Sequence, residues 1–95
     1  MYTIFKLQFE DNSVYIGCTC SASVADKVRS IKATSTIDWS FHYDTMLCKK
    51  LRESKKEPKV EILATDILFL SSARQMRDIY RSEYRSEKLL QYDIE

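Results

Sequence analysis

The first nine positions of the chain show a period of two, in which Thr3, Phe5, Leu7 and Phe9 alternate with Ile4, Lys6 and Gln8. This alternation, rich in aromatic and β-branched residues, predicts a strand over 2–9. The segment 10–13 has the composition of a turn, and Val14-Tyr15-Ile16 predicts a second strand, so we expect an antiparallel hairpin. Gly17, the single glycine, is expected to end it, where a side chain would block a turn or the close approach of another group.

After the hairpin the apolar spacing changes to three and four residues, which is typical of helices. The stripe of a first helix consists of Val24, Val28 and Ile31. Ser21 or Ser23 is expected to cap this helix. A second helix is predicted from about Ser40 to Ser54, with an inward face made of Tyr43, Leu47 and Leu51.

Pro58 separates the second helix from a third alternating strand over 59–63, which residues 67–70 prolong or follow as a buried crossing. A long helix is then predicted from a cap at Ser71 or Ser72 to about Leu90. Its inward face is expected to contain Met76, Ile79, Tyr80 and Tyr84. The predicted fold is one α/β (α+β) domain over 1–95, a small three-stranded, mainly antiparallel sheet flanked by three helices in the order β-β-α-α-β-α.

The composition is that of an ordinary globular domain, with 44% hydrophobic residues, 31% charged residues and a mean hydropathy of −0.37. The chain lacks the apolar run of about 20 residues that a membrane helix needs, so no membrane association is expected. Its first residues do not show a basic region followed by an apolar signal core, and its odd number of cysteines indicates free thiols. We therefore expect an intracellular protein, cytoplasmic, or nuclear if eukaryotic or viral. A zinc site formed by Cys18, Cys20, Cys48 and His42 is the less favoured alternative to inert buried thiols, because paired CxxC spacing is absent.

The net charge of +1 gives no strong field, but cations cluster in two places. The first cluster, near the end of the second helix, is Lys49, Lys50, Arg52, Lys55 and Lys56. It either stabilises the helix dipole or binds a ligand. The second follows the long helix at steps of three and four and consists of Arg74, Arg77, Arg81, Arg85 and Lys88. It forms a stripe about 20 Å long that is either a phosphate track or a solvated helix face.

The hairpin carries a recognisable pair of motifs. Tyr15-Ile16-Gly17, followed by Cys18-Thr19, closes the second strand, and Ile4-Phe5-Lys6-Leu7 lies ten residues earlier. Together with the order of the later elements, this resembles the GIY-YIG nuclease family over nearly the whole chain. The resemblance implies hydrolysis of a nucleic-acid phosphodiester with one bound divalent metal, Mg²⁺ or Mn²⁺. Such chemistry needs an activated nucleophile, a cation that neutralises developing charge and a carboxylate that holds the metal.

Carried onto this sequence, the resemblance assigns the water-activating tyrosine to Tyr15. The other motif tyrosine falls on Phe5, which has no hydroxyl, and Tyr2 lies nearby on the opposite face of the same strand. The family arginine falls on Lys27, or alternatively on Arg29. Lysine lacks the planar fork of arginine, so it would orient a phosphate less well.

The remaining site positions are also altered. Ile31 stands where the family has a His or Tyr, and His42 is a candidate substitute base. The metal-binding carboxylate implied by the resemblance falls on Asp78 or Glu83. Several losses in one catalytic constellation reduce turnover severely. We therefore expect a domain that binds or acts on nucleic acid, DNA rather than RNA, with hydrolysis impaired or lost. The alternative is a non-catalytic binding or inhibitor module that uses the family's active-site cleft for a nucleotide-like ligand or a protein partner.

Overall fold

The structure is a computed structural model that describes residues 1–20, 23–37, 45–54, 56–84 and 88–90. Its elements are β1 (Tyr2–Gln8), β2 (Val14–Thr19), α1 (Val24–Ser35), α2 (Met46–Glu53), β3 (Lys59–Ile67) and α3 (Leu70–Ser82). The strands form one antiparallel sheet in the order β2-β1-β3. The predicted fold class and the element order are confirmed.

The hairpin forms with Tyr15 opposite Leu7 and Gly17 opposite Phe5. Asn12 adopts the left-handed backbone conformation that its turn requires, with φ of 68°. The expectation that Gly17 ends β2 is wrong, because the strand continues to Thr19. Gly17 has no positive φ, and a Cβ at this position would lie 2.6 Å from the Tyr15 hydroxyl oxygen. Close approach of the Tyr15 ring therefore explains the glycine.

One face of the sheet packs against α1 and α2. The core on this face contains Phe5, Leu7, Phe9, Tyr15, Ile31 and Leu47, with Val24, Val28, Leu51 and Leu90 packed around it. The predicted stripe of α1 is thus confirmed. Ser23 caps α1 by accepting from the Asp26 amide, and Thr45 caps α2 by accepting from the Cys48 amide. Helix α2 begins at Met46, later than predicted; residues 40–44, which include Tyr43, lie outside the described residues.

The other face packs against α3. Its core contains Ile4, Ile16, Ile67 and Ala73, with Met76, Tyr80 and Tyr84 among the side chains around it. The prediction that Ile79 faces inward is wrong, since it is 64% exposed. Strand β3 is longer than predicted and includes Ile67.

Both predicted ends of α3 are wrong. The N-cap position is Phe69, which makes no capping side-chain bond, and Ser71 and Ser72 lie within the first turn. The helix ends at Ser82 rather than near Leu90. The reason is a tertiary contact: Leu89 forms a parallel bridge with Val14, and the Leu90 amide donates to the Val14 carbonyl at 2.8 Å. None of the described helices is long and apolar enough to cross a membrane.

Candidate anion-binding groove

A groove of about 580 Å³ lies between α1 and α2. Its lining residues are Arg29, Lys32, Ala33, Ser35, Thr36, Leu51 and Arg52. Three of these side chains are cations and two are hydroxyls, while Ala33 and Leu51 supply apolar surface. The volume falls within the range of about 300–1,000 Å³ that is usual for small-ligand sites. We call this feature the anion groove.

The last two turns of α1 supply most of the groove. Arg29 and Lys32 are three residues apart and therefore lie on one side of the helix, and Ser35 follows at the same spacing. On α2, Arg52 donates from Nη1 to the Ser35 carbonyl at 2.8 Å. This bond satisfies one of the carbonyls that a helix leaves without an internal partner at its C-terminal end. It also connects the two walls of the groove.

Two cations of the groove also contact carboxylates. Arg29 lies 3.1 Å from Asp26, and both side chains are largely exposed. Lys32 forms an ion pair with Glu57, and the hydrogen bond from this lysine lowers the pKa of the Glu57 carboxyl. Exposed ion pairs of this kind contribute little free energy and exchange readily for other anions. An incoming phosphate can therefore compete for Arg29 and Lys32.

The layer formed by α1 and α2 concentrates positive charge. Helix α1 carries three cations (Lys27, Arg29 and Lys32) against one carboxylate. Helix α2 likewise carries three (Lys49, Lys50 and Arg52) against one. The whole chain has a net charge of only +1. Since a local excess of one sign raises the concentration of counter-ions at that surface, this layer is a candidate surface for an anionic partner.

Tyr15, the assigned water-activating residue, is only 3% exposed. Its ring packs edge-on against Phe5, with 5.9 Å between the ring centroids, and covers Gly17. The Arg81 guanidinium carbon lies 5.9 Å from the Tyr15 ring centroid, a cation–π distance. The ring thus lies within the α1/α2-side core, bounded at the sheet edge by a cation from α3.

The described residues among the other catalytic candidates occupy different parts of the fold. Tyr2 belongs to the opposite core, on the α3 side of the sheet. Lys27 is half-buried in the first turn of α1, while Arg29 lines the anion groove. Ile31 is fully buried, as its apolar character requires. His42 lies outside the described residues, so its role as a substitute base stays a prediction.

The cations of α3 differ in their exposure. Arg77 is 9% exposed and lies 3.3 Å from Asp78. Arg81 donates from Nε and Nη2 to the Ile16 carbonyl, at 3.0 and 2.7 Å. Arg74 is exposed, and Arg85 lies outside the described residues. Within the described part of α3, therefore, two of the three predicted track residues make contacts inside the fold.

In the cluster near the end of α2, Lys49 is exposed and Lys50 forms an ion pair with Asp11 of the hairpin turn. The hydrogen bond from Lys50 holds the pKa of the Asp11 carboxyl well below its usual range. Lys50 thus ties the turn to α2, which is a structural role. Lys49 remains available for a ligand.

The two assigned metal ligands lie apart from the anion groove. Asp78 and Glu83 are both exposed on or just after α3, and neither lines the groove. In the described ranges, no three His, Cys, Asp or Glu side chains come together as a metal site. The resemblance implies a metal held by a single carboxylate, so Mg²⁺ or Mn²⁺ binding at Asp78 or Glu83 stays a prediction. Cys48 is buried in the core, Cys18 is half-buried and Cys20 is exposed.

Sequence reasoning did not single out Lys32, Ser35 and Thr36 as site residues, and it named Arg52 only as one of the cations near the end of the second helix. The signal was present in part, because Arg29 and Lys32 are three residues apart and lie on one side of the predicted first helix. The position of Arg52 opposite them depends on how α2 packs against α1. That packing cannot be obtained from the spacing within either helix.

The chain was compared with known proteins. It matches no protein-family model, and no curated protein or solved structure is significantly similar to it.

Proposed function

We propose that this protein is a GIY-YIG-like domain that binds nucleic acid without hydrolysing it, and that the anion groove contacts the phosphates. The observation that carries the proposal is the concentration of cations on α1 and α2 around one groove. Lysine and arginine are the side chains that neutralise nucleic-acid phosphates. We place the protein inside the cell, in the cytoplasm or nucleus, with DNA as the preferred partner over RNA.

The position of Tyr15 supports the proposed loss of hydrolysis. A general base or nucleophile must lie within hydrogen-bond reach of the reacting group. The Tyr15 side chain is 3% exposed and is packed against Phe5, which leaves little room for a phosphodiester beside its hydroxyl. Phe5 and Ile31, which replace polar residues of the family pattern, are fully buried and have no proton to exchange.

The main test is binding of fluorescent oligonucleotides across a salt series. We expect duplex DNA to bind with an affinity that falls steeply as salt rises, because phosphate contacts release counter-ions. Arg29→Gln should weaken binding about threefold to tenfold and reduce the salt slope by about one unit. Arg74→Gln is the matched control, since it removes the same charge from an exposed position on α3.

The results of this binding experiment discriminate between the possible surfaces and between the possible ligands. Equal losses in the Arg29 and Arg74 variants would point to a phosphate track on α3 instead of the anion groove. Binding that does not change with salt, or no binding, would overturn the nucleic-acid proposal. RNA of the same sequence and a nucleoside triphosphate are the competitors. Stronger competition by the triphosphate than by DNA would favour a nucleotide-like ligand, for which the groove volume is suitable.

A second experiment addresses catalysis. Supercoiled plasmid is incubated with the protein and Mg²⁺ or Mn²⁺, and nicked product is measured for the wild type and Tyr15→Phe. We expect no nicking from either protein. Metal-dependent nicking by the wild type that disappears in Tyr15→Phe would contradict the non-catalytic proposal and support an endonuclease.

A further inference from the structure

The free edge of β3 has backbone groups that no described residue satisfies. In β2, the carbonyls of Val14 and Ile16 accept from Leu90 and Arg81, so these residues face away from β1. The direction of the backbone N–H and C=O groups alternates along a strand. Lys6 pairs with Ile16, whose groups face away from β1, so the Lys6 groups point to β3, where Lys6 pairs with Glu61. Glu61 and, two residues away, Lys59 therefore bond to β1. The N–H and C=O groups of Val60 and Ile62 point outward from the sheet.

The side chains along this edge are apolar on one face and charged on the other. Val60 is 47% exposed and Ile62 is 56% exposed. They pair with Leu7 and Phe5, so they lie on the α1/α2 side of the sheet. Lys59 and Glu61 lie on the α3 side, where Glu61 forms an ion pair with Lys6 at 2.8 Å. A long edge with exposed apolar side chains is a template for another strand.

We propose that β3 pairs antiparallel with β3 of a second copy of this chain, about a two-fold axis at Val60. The product is a symmetric dimer with a continuous six-stranded sheet. In this register the Val60 residues of the two copies exchange backbone hydrogen bonds, and each Ile62 amide donates to the Pro58 carbonyl of the other copy. Each Lys59 lies directly opposite Glu61 of the other copy, so the charges of the two strands are complementary.

The other two-fold registers near this point fit less well. An axis at Glu61 would place the two Glu61 carboxylates opposite each other, and like charges directly opposed destabilise a strand pair. An axis at Ile62 would place the second strand against the irregular part of β3, where the pairing with β1 shifts register beyond Ile62. Asp66 there has a φ of 60°, which bends the strand away from regular pairing. Charge and strand geometry therefore both favour the axis at Val60.

This register also limits the length of the hydrogen-bond ladder between the two copies. Pro58 has no amide hydrogen, so the ladder between the two copies stops there on each side. The axis is perpendicular to the sheet, which places α1 and α2 of both copies on one side. An isologous contact of this kind closes on itself and leads to dimers rather than fibres.

The test is the oligomeric state in solution, measured by sedimentation velocity over a concentration series. We expect the mass to rise from that of the 11.2 kDa chain towards twice that value. Val60→Pro should abolish the dimer and keep the fold, because the amide it removes faces away from β1. Circular dichroism and thermal unfolding check that the variant is folded. A dimer that persists in folded Val60→Pro would overturn the proposed surface.

The register is tested by charge reversal. Lys59→Glu alone should weaken dimerisation about tenfold, because the dimer contains the pair twice and like charges would then be opposed. Glu61→Lys alone should do the same. Mixing the two variants should give a heterodimer. One copy then has carboxylates at positions 59 and 61 and the other has ammonium groups there, so opposite charges face each other at both places. Lys56→Glu is the matched control, an exposed charge reversal outside β3 that should leave the dimer unchanged.

Two outcomes overturn the proposal. Failure of the mixed variants to associate, with each of them folded, would exclude the Val60 axis. A wild-type chain that stays monomeric at every concentration would exclude self-pairing and leave this edge to a strand of another protein.

Discussion

The two edges of the sheet are treated differently by the rest of the chain. At the β2 edge, Arg81 binds the Ile16 carbonyl and Leu90 binds the Val14 carbonyl. At the β3 edge, Val60 and Ile62 stay exposed. Unpaired strand edges favour association, and proteins commonly cover them. Among the described residues, Arg81 and Leu90 of the C-terminal third thus cover one edge, whereas no such contact covers the other.

The largest effect is expected at Gly17, beside the covered edge. Gly17→Val should lower the free energy of unfolding by about 3 kcal/mol or prevent folding, because its side chain would collide with the buried Tyr15 ring. Urea denaturation provides the measurement. Cys18→Val, on the opposite face of the same strand, is the control and should cost less than about 1.5 kcal/mol. Equal losses in the two variants would mean that the Tyr15 contact does not dominate.

Removing the cover itself comes next. Arg81→Met should cost about 1.5–3 kcal/mol, since it removes a charged hydrogen-bond donor from the Ile16 carbonyl and the cation beside Tyr15. Hydrogen exchange should become faster along β2 in this variant. Arg74→Met makes the same change on the exposed surface of α3 and should alter stability by less than about 0.5 kcal/mol. Unchanged exchange in β2 would contradict a role for Arg81 at this edge.

The open edge should respond weakly. Ile62→Thr, measured at a protein concentration low enough to keep the chain monomeric, should change the free energy of unfolding by less than about 1 kcal/mol. The side chain is already 56% exposed, so little buried apolar surface is lost. A cost as large as that of Arg81→Met would remove the distinction between the two edges.

The smallest effect concerns the ion pairs at the starts of the two edge strands. Asp11 precedes β2 and bonds to Lys50, while Glu57 precedes β3 and bonds to Lys32. Both folded-state pKa values are lowered, chiefly by those lysines. Their stabilisation is therefore present above the unfolded pKa, near about 4, and is lost as the pH falls through the folded pKa. Stability should decline in this acidic range.

Asp11→Asn should remove more of that decline than Glu57→Gln, because the Asp11 pKa is lowered further. Thermal unfolding of both variants and the wild type between neutral pH and strongly acidic pH provides the comparison. An unchanged pH profile in Asp11→Asn would show that the Lys50 contact is exchanged for water in solution.

The sequence predicted the hairpin and the core stripe of α1 because both depend on local alternation or spacing. Val24, Val28 and Ile31 recur at helical intervals and pack as expected. The errors arose where a distant contact decides the outcome. Ile79 fits the helical stripe but lies on the outer surface. Helix α3 was predicted to reach Leu90, but it ends at Ser82, and residues 89–90 contact Val14. Spacing along one element carries no information about such partners.

The candidate site shows the same limit. The motif located Tyr15, and the placement of the single glycine predicted that another group approaches Gly17 closely. Neither could show that this group is the Tyr15 ring. The exposure of a tyrosine depends on what covers it, here Phe5 and Arg81 from separate parts of the chain. Arg29 was predicted as a catalytic alternative, whereas its partners in the anion groove became evident only when α1 and α2 were placed together.

The central position of β1 has a consequence for synthesis. This strand is synthesised before the other two strands, and one of its two neighbours, β3, follows only after α1 and α2. A nascent chain can therefore close the hairpin and dock both helices while the other side of β1 still lacks a partner. During that interval the exposed strand is open to mispairing, and the sheet is completed only by a contact between distant parts of the chain.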